Sequence, residues 1–151
     1  MINIELIHEL LIEQLLQHLE KLGVSVPHPV AFAYQCILGT FFYRAWLVTK
    51  EIANACTLAN LCVTEPDRIQ PVMNNLTHQI SILIENHIHH VDLHPGNVLV
   101  DPTNQVFIID FDKARTNNKN HLRLRKKYKS RWKRAVLKHN LPSILNDIAI
   151  P

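Results

Sequence analysis

Residues 87–115, HIHHVDLHPGNVLVDPTNQVFIIDFDKAR, decide how this chain folds and which chemistry it can carry. Two short apolar runs, NVLVD and QVFIIDF, predict two β-strands. Residues 101–104 between them are Asp-Pro-Thr-Asn, a turn-rich tetrapeptide, so the strands form a hairpin. Pro95 and Gly96 indicate a tight loop just before it. The stretch fits either a metal site built from histidines or a phosphate-handling site built from aspartates.

The metal hypothesis rests on histidines alone. Four lie within eight residues: His87, His89, His90 and His94. Zinc sites do use clustered histidines, typically four residues apart on a helix or facing each other across a hairpin. Here no HEXXH motif occurs, no cysteine is close, and Pro95-Gly96 ends any helix before His90 and His94 could share a face. Partly buried histidines that orient the loop are the more common arrangement.

The phosphate hypothesis rests on spacing. His90-x-Asp92-x-x-x-x-Asn97 has the spacing of a kinase catalytic loop, and Asp110 opens the sequence DFD at the end of the second strand. In phosphoryl transfer one aspartate accepts the proton of the acceptor hydroxyl, while an asparagine and a second aspartate hold Mg²⁺. Mg²⁺ prefers hard oxygen ligands, and neighbouring strands lie about 5 Å apart, so the hairpin would bring Asn97 and Asp110 together.

These motifs resemble those of a known family. HHVDLHPGNVLVD and FIIDFDKAR are similar to the lipopolysaccharide kinase group of the protein-kinase-like superfamily, most closely the 3-deoxy-D-manno-octulosonic acid (Kdo) kinases of Gram-negative bacteria. The resemblance runs from about residue 9 to 138. It implies an α+β, protein-kinase-like fold, with a mainly helical C-lobe that contains the catalytic-loop hairpin and a partial N-lobe. Residues 1–45 would form the partial N-lobe, and residues 46–151 the hinge and C-lobe of a single domain.

The resemblance also implies roles for individual residues. Asp92 would be the catalytic base, His90 would brace its loop, and Asn97 and Asp110 would bind Mg²⁺ on ATP. The strand at 43–49 would lead into the hinge that binds adenine. The nucleotide contacts implied on that strand and on the hairpin are Trp46, Leu47, Val48 and Leu99. The residues implied to meet substrate anions are Lys113 and Arg115.

The chain departs from the family pattern in its first residues. The family's Gly-rich loop and strand lysine, which grip the ATP phosphates, have no counterpart, because the chain opens inside the helix that follows them. Glu9 and Glu13 are both candidates for the helix glutamate that pairs with that lysine. His87 stands where the family commonly has glycine, and Trp46 where it has an acidic residue. We therefore expect weak ATP binding and little turnover from this chain alone.

The remaining elements follow from periodicity and turn residues. A helix over residues 3–22 is predicted by its leucine spacing, and Gly23 would end it. VPHPVAFAY and GTFFYRAWLVT predict strands with a turn at Gly39, which is a better reading of this uncharged stretch than a membrane span, since two prolines interrupt it. Helices are further predicted over 55–62 and 69–86, and in the basic segment after residue 116.

The distribution of charge and the cysteine content indicate which partners and which cellular compartment to expect. Residues 1–112 hold 4 Lys/Arg against 12 Asp/Glu, whereas residues 113–151 hold 12 Lys/Arg and one Asp. Such asymmetry indicates an anionic partner for the tail or a solvated basic helix face. Three scattered cysteines and the absence of a basic, then apolar N-terminus predict a cytoplasmic protein. The family resemblance implies Kdo-lipid A or the lipopolysaccharide core as acceptor, with peripheral contact at the cytoplasmic face of the anionic inner membrane.

Two other functions stay open at this point. A non-catalytic kinase-like remnant would use the basic tail to bind an anionic partner. A small-molecule kinase of the aminoglycoside or choline type shares the DLHPGNVL loop, although the IDFDKAR ending favours the lipopolysaccharide group. No nucleic-acid-binding motif accompanies the basic run, so no specific nucleic acid is expected.

Overall fold

The computed structural model describes residues 4–36, 43–116, 119–147 and 150. Helices and short antiparallel strands alternate along the chain, which confirms the predicted α+β class. The helices are α1 Ile4–Leu22, α2 Leu58–Thr64, α3 Ile69–Glu85 and α4 His121–Lys138. The strands are β1 Pro29–Cys36, β2 Tyr43–Thr49, β3 Cys56–Thr57, β4 Val98–Val100 and β5 Val106–Ile108. The predicted turn at Gly39 lies outside the described residues.

The strands form two small sheets. β1 pairs with β2, and β4 lies between β3 and β5. In the β4–β5 hairpin Val98 faces Ile108 and Val100 faces Val106. The Oδ1 atom of Asp101 accepts the backbone N–H groups of Thr103 and Gln105 at 2.8 and 2.9 Å, which fixes the turn. The hairpin and its turn-rich connection are therefore confirmed.

Helix ends agree with the predictions except at α2. α1 ends at Leu22, followed by Gly23 at φ +88°. The helix predicted from residue 55 begins instead at Leu58, because residues 56–57 pair with β4 and the Thr57 hydroxyl caps the helix by accepting the Asn60 N–H. α3 is followed by His87 at φ +62°, and the Ile88 N–H donates to the Leu83 carbonyl across this turn.

The core lies between α3, α4 and the β4–β5 hairpin. Each of these elements contributes fully buried apolar side chains: Leu76, Ile80 and Leu83 from α3, Tyr128 and Trp132 from α4, and Val98 and Ile108 from the hairpin. The Trp132 indole N–H donates to the Leu145 carbonyl at 2.7 Å, tying the C-terminal segment to α4. Among the described helices, none combines the length and the apolar character that crossing a bilayer requires.

A buried amide joins α3 to the hairpin. Gln79 is 2% exposed. Its Nε2 donates to the Val106 carbonyl at 3.0 Å, and its Oε1 accepts the Ser25 N–H at 3.0 Å. Gln79 thereby satisfies the N–H of Ser25, which lies outside the strands, and a carbonyl of the edge strand β5, and it ties the hairpin to α3.

Replacement of Gln79 by leucine tests this contact. The Ser25 N–H and the Val106 carbonyl lose a buried partner in Gln79→Leu, so we expect the unfolding free energy to fall by about 2–4 kcal/mol. Gln70→Leu, on the exposed surface of the same helix, is the matched control and should change stability by less than about 0.5 kcal/mol. Urea unfolding followed by circular dichroism measures both. Equal effects of the two substitutions would contradict the assigned contact.

Candidate active site

The loop between α3 and β4 is held from behind by Tyr128. Its buried hydroxyl accepts the His90 N–H at 2.8 Å and donates to the Ile88 carbonyl at 3.0 Å. The His90 ring is also buried, and its Nε2 donates to the Ile109 carbonyl at 2.8 Å. Burial lowers the pKa of His90, so this ring is a neutral brace between the loop and the second strand of the hairpin.

Asn97 joins the loop to the end of that strand. Its Nδ2 donates to the Asp92 carbonyl oxygen at 3.1 Å and to Asp110 Oδ2 at 3.0 Å. The Ile109 N–H donates to the Asn97 carbonyl at 3.1 Å, extending the hairpin by one hydrogen bond beyond its regular strands. The structure therefore brings together Asp92, Asn97 and Asp110, the residues that spacing had singled out.

The turn before Asn97 depends on Gly96. The His94 ring accepts the Gly96 N–H at Nδ1, at 3.0 Å, capping a short 3-10 turn of residues 95–97. A Cβ atom on Gly96 would lie 2.8 Å from His94 Cε1. A side chain at position 96 would therefore require the His94 ring to move from its capping position.

Asp110 has the electrostatics of a cation site. It takes φ +67°. Burial raises its pKa, as do the hydrogen bond and the negative charge of Asp112, while His90 and the Asn97 amide act in the opposite direction. A carboxylate whose ionisation is disfavoured by a neighbouring carboxylate is suited to bind a divalent cation. The donor set, two carboxylates and the Asn97 amide oxygen, fits Mg²⁺, which takes hard oxygen ligands.

Asp92 makes an ion pair that the sequence did not predict. Arg131, from α4, donates through Nη2 to Asp92 Oδ1. Partial burial alone would raise the pKa of Asp92, but the hydrogen bond and charge of Arg131 outweigh burial and hold it below its usual value. The Asp92 carboxylate is therefore ionised at neutral pH and able to accept a hydrogen bond from an alcohol.

A cavity of about 510 Å³ opens beside Asp110. Leu47 and Leu99 line it from opposite sheets, and residues 50–52, just after β2, close one side. Trp46 and Val48 are 46% and 49% exposed and are not among the lining residues. Of the nucleotide contacts predicted from the sequence, the structure thus places two side chains in the cavity and two on the other face of β2.

Residues of α1 close the cavity from above. Ile12 and Leu16 line it. The leucine periodicity of α1 predicts a buried helix face, but it does not indicate that this face lines a cavity. Glu13 is half-buried and its Oε1 accepts from Gln17 Nε2 at 3.3 Å. The side chain of Glu9 lies outside the described part of the structure. The choice between the two glutamates therefore stays open.

The two predicted substrate residues follow Asp112 directly. Lys113 Nζ lies 4.0 Å from Asp112 Oδ2 and is largely exposed. Arg115 pairs its backbone with His89: each donates its N–H to the other's carbonyl, at 2.9 and 2.8 Å. This bridge ties the segment after the hairpin back to the loop before it, so Arg115 has a structural role in addition to the predicted one.

The histidines are dispersed over separate contacts. His87 Nδ1 lies 2.9 Å from His121 Nε2, whereas the His90 ring bonds the Ile109 carbonyl and the His94 ring bonds the Gly96 N–H. Within the described ranges no three His, Cys, Asp or Glu side chains are arranged to hold a metal ion. The orienting role weighed for these histidines agrees with the contacts that His90 and His94 make.

Two side chains of α4, Tyr128 and Arg131, contact the loop between α3 and β4 and were not assigned from the sequence. Both lie nearly 40 residues further along the chain than their partners in that loop. Their only local signal is a position on the inward half of a basic helix. Tyr128 falls in its apolar stripe, and Arg131 stands beside the buried Trp132.

Comparison with known proteins places these features in a family. Residues 10–144 match the model of the lipopolysaccharide kinase (Kdo/WaaP) family. A 3-deoxy-D-manno-octulosonic acid kinase of Photobacterium damsela subsp. piscicida is 35% identical over 82% of this chain and 53% of its own length. One of Vibrio cholerae is 32% identical over 66% of this chain and 41% of its own. The chain thus spans about half the length of such relatives, or less.

Structural similarity is more distant. A chain in the crystal structure of the yeast RNA Pol II CTD kinase CTDK-1 complex superimposes with a TM-score of 0.47 and 18% identity. The match covers 72% of this chain and 36% of that one.

The ion pair at Asp92 gives a direct test. In Arg131→Gln the carboxylate loses its cationic partner, so the pKa of Asp92 should rise from its lowered value. Arg134→Gln, one turn further along α4 and without a contact to Asp92, is the control and should leave that pKa unchanged. Carboxyl ¹³C chemical shifts followed through an acid titration report both. A pKa of Asp92 that is the same in Arg131→Gln and the unchanged chain would contradict the pairing.

Proposed function

Because the chain belongs to the lipopolysaccharide kinase (Kdo/WaaP) family, we propose that it performs ATP- and Mg²⁺-dependent phosphorylation of a Kdo hydroxyl in the lipopolysaccharide inner core. The observation that carries this proposal is the Asn97 side chain, which hydrogen-bonds both the Asp92 backbone and the Asp110 carboxylate. One amide thereby links the residue proposed as base to the residue proposed as metal ligand.

Nucleotide binding is proposed for the cavity beside Asp110. Leu47 and Leu99 supply apolar surface from two sheets, which suits the two faces of a flat adenine ring. Residues 50–52 would offer backbone groups to the ring edge. The phosphates would then extend toward Asp110 and Asp112, the acidic end of the same cavity.

The metal ligands are proposed from the donor set. Asp110 and Asn97 would hold Mg²⁺, with Asp112 close enough to contribute. When bound, the ion neutralises the phosphate oxygens as charge shifts during transfer. The chain's own contribution is positional, because the hairpin hydrogen bond between Ile109 and Asn97 fixes how far apart the two ligands lie.

Asp92 is proposed as the base that receives the acceptor proton. Its backbone is fixed by Asn97, and its carboxylate is oriented by Arg131. An ionised carboxylate at this position would accept a hydrogen bond from the Kdo hydroxyl, align the oxygen with the γ-phosphate, and take up the proton as the new bond forms. His90 would keep the loop in place without touching substrate.

The acceptor proposed is Kdo-lipid A or the lipopolysaccharide core, consistent with the name of the similar proteins, 3-deoxy-D-manno-octulosonic acid kinase. Lys113 and Arg115, next to the acidic end of the cavity, are proposed to meet anionic groups of that acceptor. The basic segment would favour peripheral contact with the anionic cytoplasmic face of the inner membrane, where each Lys or Arg contributes about 1 kcal/mol.

Magnesium dependence tests the ligand assignment. We expect the chain to bind Mg·ATP weakly, and Asp110→Asn to remove the gain in ATP affinity that Mg²⁺ produces, because a carboxylate ligand is lost. Asp67→Asn, an exposed acidic residue far along the chain, is the charge-matched control and should bind like the unchanged protein. Isothermal titration with and without Mg²⁺ measures the effect. An ATP affinity that changes neither on addition of Mg²⁺ nor in Asp110→Asn would contradict the proposal.

The rate of phosphate transfer tests the assignment of Asp92 as the base. Transfer of labelled γ-phosphate from ATP to Kdo-lipid A should be slow in this chain and should fall by about 10²–10⁴-fold in Asp92→Asn. Mg·ATP binding by Asp92→Asn should be nearly unchanged, since Asp92 is not a proposed metal ligand. Mg·ATP binding without any transfer by the unchanged chain would contradict catalysis by this chain and favour a non-catalytic kinase-like module.

A further inference from the structure

A second cavity lies on the other side of Arg131. It has a volume of about 390 Å³ and is formed between the catalytic loop and one face of α4. The loop contributes His89 and Val91, which flank His90 just before Asp92. The residues contributed by α4 are Arg123, Lys126, Lys127, Ser130, Arg131 and Arg134. We refer to this cavity as the basic groove.

The composition of the basic groove is one-sided. Five of its eight lining residues are basic, and none of the eight is acidic. Each of these α4 residues has another of them three or four positions away, so they form a single stripe along the helix beside the buried stripe of Tyr128 and Trp132. Arg131 is paired with Asp92, and the other four like charges on this concave surface repel one another unless an anion lies between them.

His89 is the only buried residue among the eight that line the basic groove. It is 8% exposed, and its Nδ1 has almost no solvent-accessible surface and no hydrogen-bond partner. Buried polar atoms are nearly always paired in native structures, and among the described residues His90 Nδ1 and Arg125 Nε share this unpaired state. Burial first, and then the charges of Lys127, Arg115 and His90, lower the pKa of His89 to about 4.

We propose that the basic groove binds a phosphomonoester carried by the acceptor, and so fixes the acceptor alcohol beside Asp92. Arg131 connects the two places, since its side chain lines the groove and also pairs with Asp92. A phosphate bound in the groove and the carboxylate of the proposed base would therefore both contact the same Arg131 guanidinium. The phosphomonoester is the preferred ligand because its two negative charges match a planar guanidinium fork flanked by lysines.

Basic residues of α4 also occur outside the groove. Lys127 is half-buried where it lines the groove, and Lys126 lines it from an exposed position. Lys129 and Lys133 are exposed and are not among the residues that line the groove, so they provide the comparison that the test requires.

Binding of small sugar phosphates tests the groove directly. We expect the 151-residue chain to bind glucose 1-phosphate and not glucose, with a change in the His89 ring signals in ¹H–¹³C NMR spectra. Lys127→Gln/Arg134→Gln should bind glucose 1-phosphate at least about tenfold more weakly, because two charge-assisted contacts are lost. Lys129→Gln/Lys133→Gln removes the same charge from the same helix and should bind like the unchanged chain.

Vesicles separate the two sources of phosphate. Phosphatidylglycerol vesicles present phosphodiesters, and their binding should fall equally in both double variants, because it depends on overall charge. Equal affinity of the two double variants for glucose 1-phosphate would overturn the proposal. Glucose binding as strong as glucose 1-phosphate binding would also overturn it. The same holds if Lys127→Gln/Arg134→Gln loses vesicle binding and no form of the chain binds glucose 1-phosphate.

Phosphate binding in the groove rests on the proposed function. One further titration distinguishes failure of the kinase proposal from failure of the groove proposal. Mg·ATP affinity should be the same in both double variants, because neither alters the cavity beside Asp110. If the unchanged chain binds sugar phosphate but does not bind Mg·ATP, the kinase proposal is rejected and the groove proposal is retained. Intact Mg·ATP binding with no sugar phosphate binding would reject the groove alone.

Discussion

The register of the β4–β5 hairpin is the constraint on which the candidate site depends. Val98 faces Ile108, and the next pair outward, Asn97 and Ile109, keeps one backbone hydrogen bond. Asp110 is then the first residue beyond the ladder and lies next to the Asn97 amide. Because side chains alternate across a strand, a slip of one residue would turn Asn97 away from Asp110. The Asp101 turn and the Gln79 hydrogen bond to Val106, both at the turn end of the hairpin, oppose such a slip.

Local backbone strain accompanies this arrangement. Asp110 at φ +67° and His87 at φ +62° both adopt a conformation that side chains other than glycine and asparagine seldom take. Such residues persist when their surroundings hold them in place. Asp110 is held by the Asn97 amide, and His87 by the hydrogen bonds that end α3 and by its contact with the His121 ring. His87 begins the loop between α3 and β4, and Asp110 follows β5, so both positive-φ residues lie on the segments that Asn97 and His90 hold together.

Sequence reasoning was most informative where contacts are local. The loop motif, the turn-rich tetrapeptide and the apolar runs lie within 30 residues, so spacing alone predicted that Asn97 and Asp110 would meet. It was least informative where distant segments meet. Arg131 contacts Asp92 across 39 residues, and no pattern within α4 distinguishes it from the other basic residues. The start of α2 was misplaced for a similar reason, because residues 56–57 pair with β4, a partner far along the chain.

Gly96 shows how a residue without a side chain can control a site. Its missing Cβ leaves room for the His94 ring, and that ring caps the turn from which Asn97 projects. Any larger residue would displace the imidazole from its capping position. In a saturation-mutagenesis survey, position 96 would therefore score as sensitive to substitution, although its own side chain offers no ligand atom. Intolerance to substitution in this loop reports steric complementarity between two neighbours as much as it reports chemistry.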